Sequence, residues 1–417
     1  MKTQHHLIQL CMFAMCGFLI LLGFSSCNEQ SPIAGSDLHN DTINASVITS
    51  DSVQMFLGTS LLNNKPTASY PVDLLLGSAK GYTSSTILRF SPDNLPDSSG
   101  YEILSAQMIL QPKRYAFGDT ISNRLAFDVF SIAKPWTPSA TIDTFQQAGF
   151  LESVNHGTFD GSIALRDTMP EVTMDISTSL IKGWFESKVK KLKDTSYNTQ
   201  SSYAIALVPK SNSTVIRSFA RTKQVVDVAT NSKSTDEAIS IRVICKKTNA
   251  TKNDTIVVKT AYHGSFTSDP SKTSDEIIVN CGTGVYSGLD ISLQQLPTGI
   301  AIHGAILKLT LDSASSLRGN FPIDSILTAQ FVDSSYGNLI REFSGWSKSG
   351  SNIYEFSVVN ALVESLLRKS RVGTLKVFPF IDRDRTRLDR LVFHGPKDPD
   401  PTKRPSLRII YSTRPKP

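Results

Sequence analysis

Short segments in which apolar and polar residues alternate recur along the chain and predict β-strands. A period of two means that one face of each strand is buried while the other is wet or weakly packed. Turn residues separate most of the apolar runs at short intervals, which is typical of strands in a β-sandwich. The clearest alternating positions are Ala106, Met108 and Leu110 in the first half, and Ala305, Leu307 and Leu309 in the second.

Two other segments have helical spacing, one in each half of the chain. Between Asp175 and Lys193, and again between Ser357 and Lys369, apolar residues recur three and four positions apart. One helix per half is too few for an α/β fold. The pattern predicts an all-β fold of two tandem β-sandwich, jelly-roll-like domains, each with one short amphipathic helix.

The order of these elements is the same in both halves, which indicates an internal duplication. The aligned positions are Leu95-Pro96 with Leu296-Pro297, Leu88 with Leu289, and Phe90 with Ile291. We therefore predict a first domain over 46–247 and a second over 255–413, joined by a polar linker at 248–254. Chance similarity between two generic β domains is the alternative interpretation.

The amino-terminal segment is typical of a signal peptide. Lys2 is followed by a mostly apolar stretch over 7–24 that has no charged residue. The residues that end it, Gly23-Phe24-Ser25-Ser26-Cys27, resemble the bacterial lipobox. This resemblance implies cleavage after residue 26 and lipidation of Cys27, with 27–45 as a flexible tether. An ordinary signal peptide with a chance cysteine is the alternative.

A lipid on Cys27 would attach the protein to a membrane of the cell envelope, and we expect the outer membrane of a Gram-negative bacterium. About 390 residues remain after cleavage, enough for two domains. The formal charge of +6 is small and spread over both halves, so no nucleic-acid partner is expected. Two cysteines remain in the folded part, Cys245 and Cys281, and the sequence leaves open whether they are buried thiols or a disulfide.

The ordered elements resemble the DNRLRE-type domain of secreted and surface proteins, a family also described as a carbohydrate-binding module. The matching parts are Leu88-Arg89-Phe90, Leu95-Pro96, the alternating strand over 106–110, Trp184, and Arg404-Pro405-Ser406-Leu407. The resemblance covers roughly residues 50–246 and 255–412. It departs from the family where the name-giving hexapeptide is absent and where Asp290 replaces the arginine of the first copy. The resemblance implies a β-sandwich that binds carbohydrate.

No catalytic or metal motif is found in the sequence. The histidines outside the signal segment, at 39, 156, 263, 303 and 394, are widely separated, and the chain has neither a Gly-x-Ser-x-Gly elbow nor a Walker loop. The best calcium candidate, Asp382-Arg383-Asp384-Arg385-Thr386, offers few ligands among opposing arginines, so a self-paired loop is favoured. We therefore expect a non-catalytic protein with no metal and no cofactor.

Two tryptophans in loop-like stretches are candidates for ligand binding. Trp136 lies between two prolines and Trp346 follows a glycine. An exposed indole ring can stack on the C–H face of a sugar, whereas a buried one only packs. The leading hypothesis is a surface-anchored binding or adhesion module for glycans. The alternative is a structural or assembly component of the envelope that binds a protein partner. Asp-Ser/Thr-apolar triplets, such as Asp324-Ser325-Ile326, also resemble an O-glycosylation signal.

Overall fold

The fold is all-β, as predicted: strands make up 51% of the computed structural model and helices 9%. The structure describes residues 45–97, 100–166, 168–199, 201–226, 232–271, 274–323, 325–333, 339–347, 350–380 and 384–413. Cys27, the predicted signal peptide and the predicted tether up to residue 44 lie outside these ranges. Asp382 and Arg383 of the calcium candidate also lie outside them.

Three helices have both ends within the described ranges. They are α1 (Ile142–Phe145), α2 (Thr178–Lys193) and α3 (Val359–Leu367). The strands, in chain order, are β1 (Ala45–Thr49), β2 (Phe56–Asn63), β3 (Leu74–Ala79), β4 (Tyr82–Phe90), β5 (Tyr101–Leu110), β6 (Pro112–Gly118), β7 (Arg124–Ile132), β8 (Leu151–Ser162), β9 (Val172–Asp175), β10 (Ala204–Pro209), β11 (Val215–Phe219), β12 (Thr222–Val226), β13 (Lys233–Glu237), β14 (Ser240–Lys247), β15 (Asp254–Ser268), β16 (Ile277–Asn280), β17 (Val285–Ser292), β18 (Ile300–Thr310), β19 (Ile326–Asp333), β20 (Leu339–Ser347), β21 (Ile353–Ser357), β22 (Val372–Pro379), β23 (Arg390–Phe393) and β24 (Ser406–Thr413).

Two large antiparallel sheets contain almost all of these strands, and β12 and β13 form a separate ribbon. In the first sheet the path runs β6-β11-β3-β4-β15-β14-β5-β9, with β10, β7 and β8 branching from β4. In the second sheet the path runs β1-β24-β18-β21-β20-β19-β22-β17-β16-β23, with β2 added on β17. Among the described residues, no helix combines the length and the apolar character needed to span a membrane.

Each sheet encloses its own hydrophobic core, and the alternating positions found in the sequence point into these cores. Residues 106, 108 and 110 are buried in the first core, and residues 305, 307 and 309 are buried in the second. Helix α2 buries Trp184 and Phe185 in the first core, and α3 buries Leu362 in the second. A smaller cluster that includes Tyr115 and Leu388 packs the two halves against each other.

The two halves exchange strands. β1 and β2, from the amino-terminal end, pair with β24 and β17 of the second sheet. Conversely, β15 pairs with β14 and β4 of the first sheet. The two exchanged strands, β15 and β2, pair in the same way. β15 has one unpaired residue opposite Arg89–Phe90, and β2 has one unpaired residue opposite Asp290–Ile291. The aligned positions of the duplication thus occupy matching places in the two sheets.

This exchange bears on the predicted domain boundaries. Of residues 248–254, predicted as a linker, 248–253 connect β14 and β15, which are adjacent antiparallel strands of one sheet, and residue 254 begins β15. Residues 45–417 form one compact unit. The division into domains over 46–247 and 255–413 stays a prediction. Strands of each predicted domain pair with strands of the other: β1 and β2 with the second, and β15 with the first. Cys245 and Cys281 are both buried thiols, so the alternative of a disulfide is not realised.

Candidate functional site

Trp136, one of the two candidate tryptophans, lies in the interior. It follows β7 and is only 3% exposed, packed with Phe150 and Phe266 on the outer side of the first sheet. The Arg89 guanidinium lies 5.0 Å from the centre of its ring and donates a hydrogen bond to its carbonyl oxygen. Both faces of an indole buried in this way are occupied by protein, so the ring offers no surface for a sugar.

Trp346, the other candidate, is 57% exposed near the end of β20. The strand alternates, so the preceding Gly345 faces the core while Trp346 faces outward. A side chain at position 345 would meet the ring of Phe356 at 2.3 Å, and the glycine therefore allows β20 to lie close against β21. This local packing holds the backbone of Trp346 within the sheet.

Strand register places a row of side chains beside this indole. Trp346 stands opposite Ile326 on β19 and opposite Glu355 on β21, and Glu355 stands opposite Lys308 on β18. Residues directly opposite each other share one face of a sheet. Lys308 and Glu355 form an ion pair of 2.9 Å, and Ile353 is exposed two residues before Glu355. We call Trp346, Ile326, Glu355, Lys308 and Ile353 the Trp346 face.

Further aromatic residues extend this outer surface across the sheet. Phe378 on β22 stands opposite Thr328, which is two residues after Ile326 on β19. Its ring centre lies 5.9 Å from that of Tyr286 on β17, and both side chains are partly exposed. Phe380, one residue beyond β22, is exposed. Aromatic rings on β20, β22 and β17 therefore lie on one face, with β19 between the first two of these strands.

A groove adjoins the Trp346 face. Its volume is about 750 Å³, and it lies between the loop over 50–58, strand β18 and the loop over 396–406. Lys308 and Ile353 belong both to the groove and to the Trp346 face. The rim is charged, with an ion pair of 3.2 Å between Lys397 and Asp275. A long ligand lying on the sheet could therefore continue into the groove.

The calcium candidate is engaged in protein contacts where the structure describes it. Asp384 accepts hydrogen bonds from the Tyr70 hydroxyl at 2.6 Å and from the Gly282 amide at 2.7 Å. Burial raises the pKa of this carboxyl despite those two bonds. The Arg385 guanidinium donates to the Tyr70 carbonyl. Within the described ranges, no group of three or more His, Cys, Asp or Glu side chains is arranged to hold a metal ion.

The histidines are separated in space as they are in sequence. His156 contacts Ser131, His303 contacts Ser412, and His394 forms a 2.7 Å contact with Asp398. His263 accepts a hydrogen bond from Arg221. Each of these four histidines is thus bonded within its own part of the fold.

Sequence reasoning singled out Trp346 but missed its neighbours. Ile326, Glu355 and Lys308 come from three different strands, and only the register of the sheet brings them together. Alternation along each strand could have assigned their outward orientation, but it could not have ordered the strands. The sequence matches no protein-family model and has no significant match among curated proteins.

Proposed function

We propose that this protein is a non-catalytic binding module of the cell envelope, anchored through a lipid on Cys27, and that the Trp346 face binds glycans. The exposed indole on the outer face of the second sheet carries this proposal. A sugar ring has apolar C–H faces that stack on an aromatic ring and hydroxyl groups that bond to charged side chains. The Trp346 face offers both chemistries, because the indole lies beside the Glu355–Lys308 ion pair.

The anchor and the binding surface are compatible in this proposal. The predicted tether reaches residue 45, where β1 begins, so a lipid on Cys27 would hold the compact unit over 45–417 near the membrane. Incorporation of a labelled fatty acid tests the anchor. We expect Cys27→Ser to abolish the label and Cys16→Ser, within the segment to be removed, to retain it.

A glycan panel tests the binding surface. Residues 45–417 would be assayed against soluble glycans and insoluble polysaccharides, with Trp346→Ala as the test variant. Leu367→Ala is the matched control, because Leu367 is 78% exposed on α3, outside the Trp346 face. We expect a bound polysaccharide to lose about 5- to 150-fold in affinity with Trp346→Ala, if a stacked sugar ring contributes as much as a stacked base, about 1–3 kcal/mol. Unchanged binding by a folded Trp346→Ala protein would exclude this face as the site.

A protein partner is the second candidate, and one observation favours it. Ile326, Ile353 and Ile306 are exposed on the same outer face, and exposed apolar patches often mark protein–protein interaction sites. A photo-crosslinking residue at position 353 would test this candidate in intact cells. A single crosslinked envelope protein that disappears with Trp346→Ala, together with no binding in the glycan panel, would favour the assembly role.

A further inference from the structure

The first two strands form an arm that completes the sheet of the other half. We define the arm as residues 45–63, which contain β1 and β2. β1 pairs with the closing strand β24 from Ala45 to Thr49, and β2 pairs with β17 from Phe56 to Asn63. The chain then enters the first sheet at β3. The arm is therefore covalently joined to one half and hydrogen-bonded to the other.

The arm buries little apolar surface. Among residues 45–63, Met55 is the one fully buried side chain, at 1% exposure, and Ile48, Val53 and Phe56 only rest against the edge of the second core. β15, which comes from the second half and completes the first sheet, buries Val258 and Phe266. Much of the arm's attachment is main-chain hydrogen bonding, such as Ser50 to Leu407 at 2.9 Å and Ser292 to Met55 at 2.7 Å. Segments with little buried apolar surface open at low free-energy cost.

The chain after the arm is firmly attached to the body. Ala68 is fully buried, its amide donates to the Ala140 carbonyl at 2.7 Å, and its carbonyl accepts from the Ser265 amide at 3.2 Å. The Tyr70 carbonyl accepts from Arg385 at 2.8 Å. The Asn64 amide donates to the Gly284 carbonyl at 2.8 Å and so moves with the arm, while Lys65 forms an exposed ion pair of 2.5 Å with Asp143. The arm can therefore detach by rotation within residues 65–67, which include Pro66, as that ion pair opens, while residue 68 and those after it keep their contacts.

We propose that two copies of this chain exchange their arms, so that β1 and β2 of one copy pair with β24 and β17 of the other. Every contact of the arm is conserved in the exchanged pair, because the acceptor strands are identical in both copies. Only the conformation of residues 65–67 and the exposed Lys65–Asp143 ion pair differ, and exchange of an identical element is a low-cost route to a dimer. Strand exchange within the chain is already part of the fold, and exchange between chains uses the same edges. This proposal does not depend on the ligand of the Trp346 face.

Two separate single-cysteine proteins test the exchange. Val47 on β1 is 52% exposed and stands opposite Ile410 on β24, so cysteines at these positions can form a cross-strand disulfide. Val47→Cys and Ile410→Cys proteins over residues 45–417 would be mixed at high concentration, incubated, and oxidised mildly. Cys245 and Cys281 are buried and remain in both proteins. We expect a covalent heterodimer on a non-reducing gel that increases with protein concentration and incubation time.

Two controls make the result decisive. Val47→Cys mixed with Leu367→Cys measures random collision between exposed thiols, and we expect far less dimer from it. A chain carrying both Val47→Cys and Ile410→Cys tests whether the two strands are paired at all, and at low concentration we expect it to close within one chain. Closure of this double variant, combined with a mixed-protein heterodimer no greater than the collision control, would overturn the proposal. Failure of the double variant to close would overturn it too, because the arm would not occupy β24.

Discussion

At the scale of single residues, burial decides what each tryptophan can do. In the sequence, Trp136 and Trp346 were equally good candidates for ligand binding, since each lies beside residues typical of turns. The difference comes from distant partners: Arg89 on β4 and Phe266 on β15 enclose Trp136, whereas more than half of Trp346 stays exposed. The sequence could therefore nominate both residues but could not choose between them, because the enclosing groups are far away along the chain.

The two tryptophans should differ sharply in their effect on stability. We expect Trp136→Ala to lower the free energy of unfolding by about 3–5 kcal/mol, the usual cost of removing a large buried aromatic side chain. We expect Trp346→Ala to change it by no more than about 0.5 kcal/mol, as for other surface sites. Urea denaturation of both variants measures the difference. Equal losses would mean that Trp346 is also part of a packed core.

His263 should make stability depend on pH. Burial, and then the nearby Arg221 guanidinium, lower the pKa of His263 from 6.5 to about 4. Arg221 donates to Nδ1 at 3.0 Å, and a Glu237 carboxylate oxygen lies 3.5 Å from Nε2. Between these two pKa values the unfolded chain binds a proton that the folded protein does not. The free energy of unfolding therefore falls as the pH falls from 6.5 to 4, by up to about 3 kcal/mol from this group.

Comparison with a variant isolates this contribution from that of the carboxylates. Urea denaturation from pH 7 to pH 4 would be carried out on the natural protein and on His263→Gln, which keeps a hydrogen-bonding side chain at the site. We expect the variant to lose stability less steeply over this range. Parallel curves for the two proteins would show that His263 takes up its proton equally in both states.

At the scale of elements, local patterns predicted the strands well and the helices approximately. Alternation placed residues 106–110 and 305–309 correctly because one buried face imposes a period of two on any strand. The first predicted helix began at Asp175, but the structure places Asp175 at the end of β9 and begins α2 at Thr178. Ser177 caps this helix by accepting a hydrogen bond from the Ser179 amide, which fixes its start.

Pairing partners could not be predicted from the same patterns. β20 pairs with the strands next to it in the chain, but β18 pairs with β21, and β1, β2 and β15 pair with β24, β17 and β4, which are many residues away. An alternating segment specifies which face is buried but not which edge it joins. The sequence therefore could not predict that the residues of the Trp346 face form one surface, although alternation along each strand predicts that each of them points outward.

At the scale of the whole molecule, the exchanged strands interlock the two halves. Cleavage of the turn at residues 248–253 would give a first fragment that carries β1 and β2 and a second that carries β15. Each fragment would then supply strands to the other's sheet. We expect the nicked protein to elute as one species in native gel filtration and to separate only in denaturant. Separation without denaturant would mean that the halves are independent domains after all.

Tryptophan fluorescence can report directly on the proposed binding surface, because the three tryptophans differ in exposure. Trp136 and Trp184 are buried, and Trp346 is the one exposed member of the three. Acrylamide quenching of tryptophan fluorescence should therefore detect one accessible indole. The account predicts that a polysaccharide bound by residues 45–417 protects this indole from quenching, and that Trp346→Ala removes the accessible fraction. Binding established independently, with quenching of Trp346 unchanged, would contradict the assignment of this face as the glycan-binding surface.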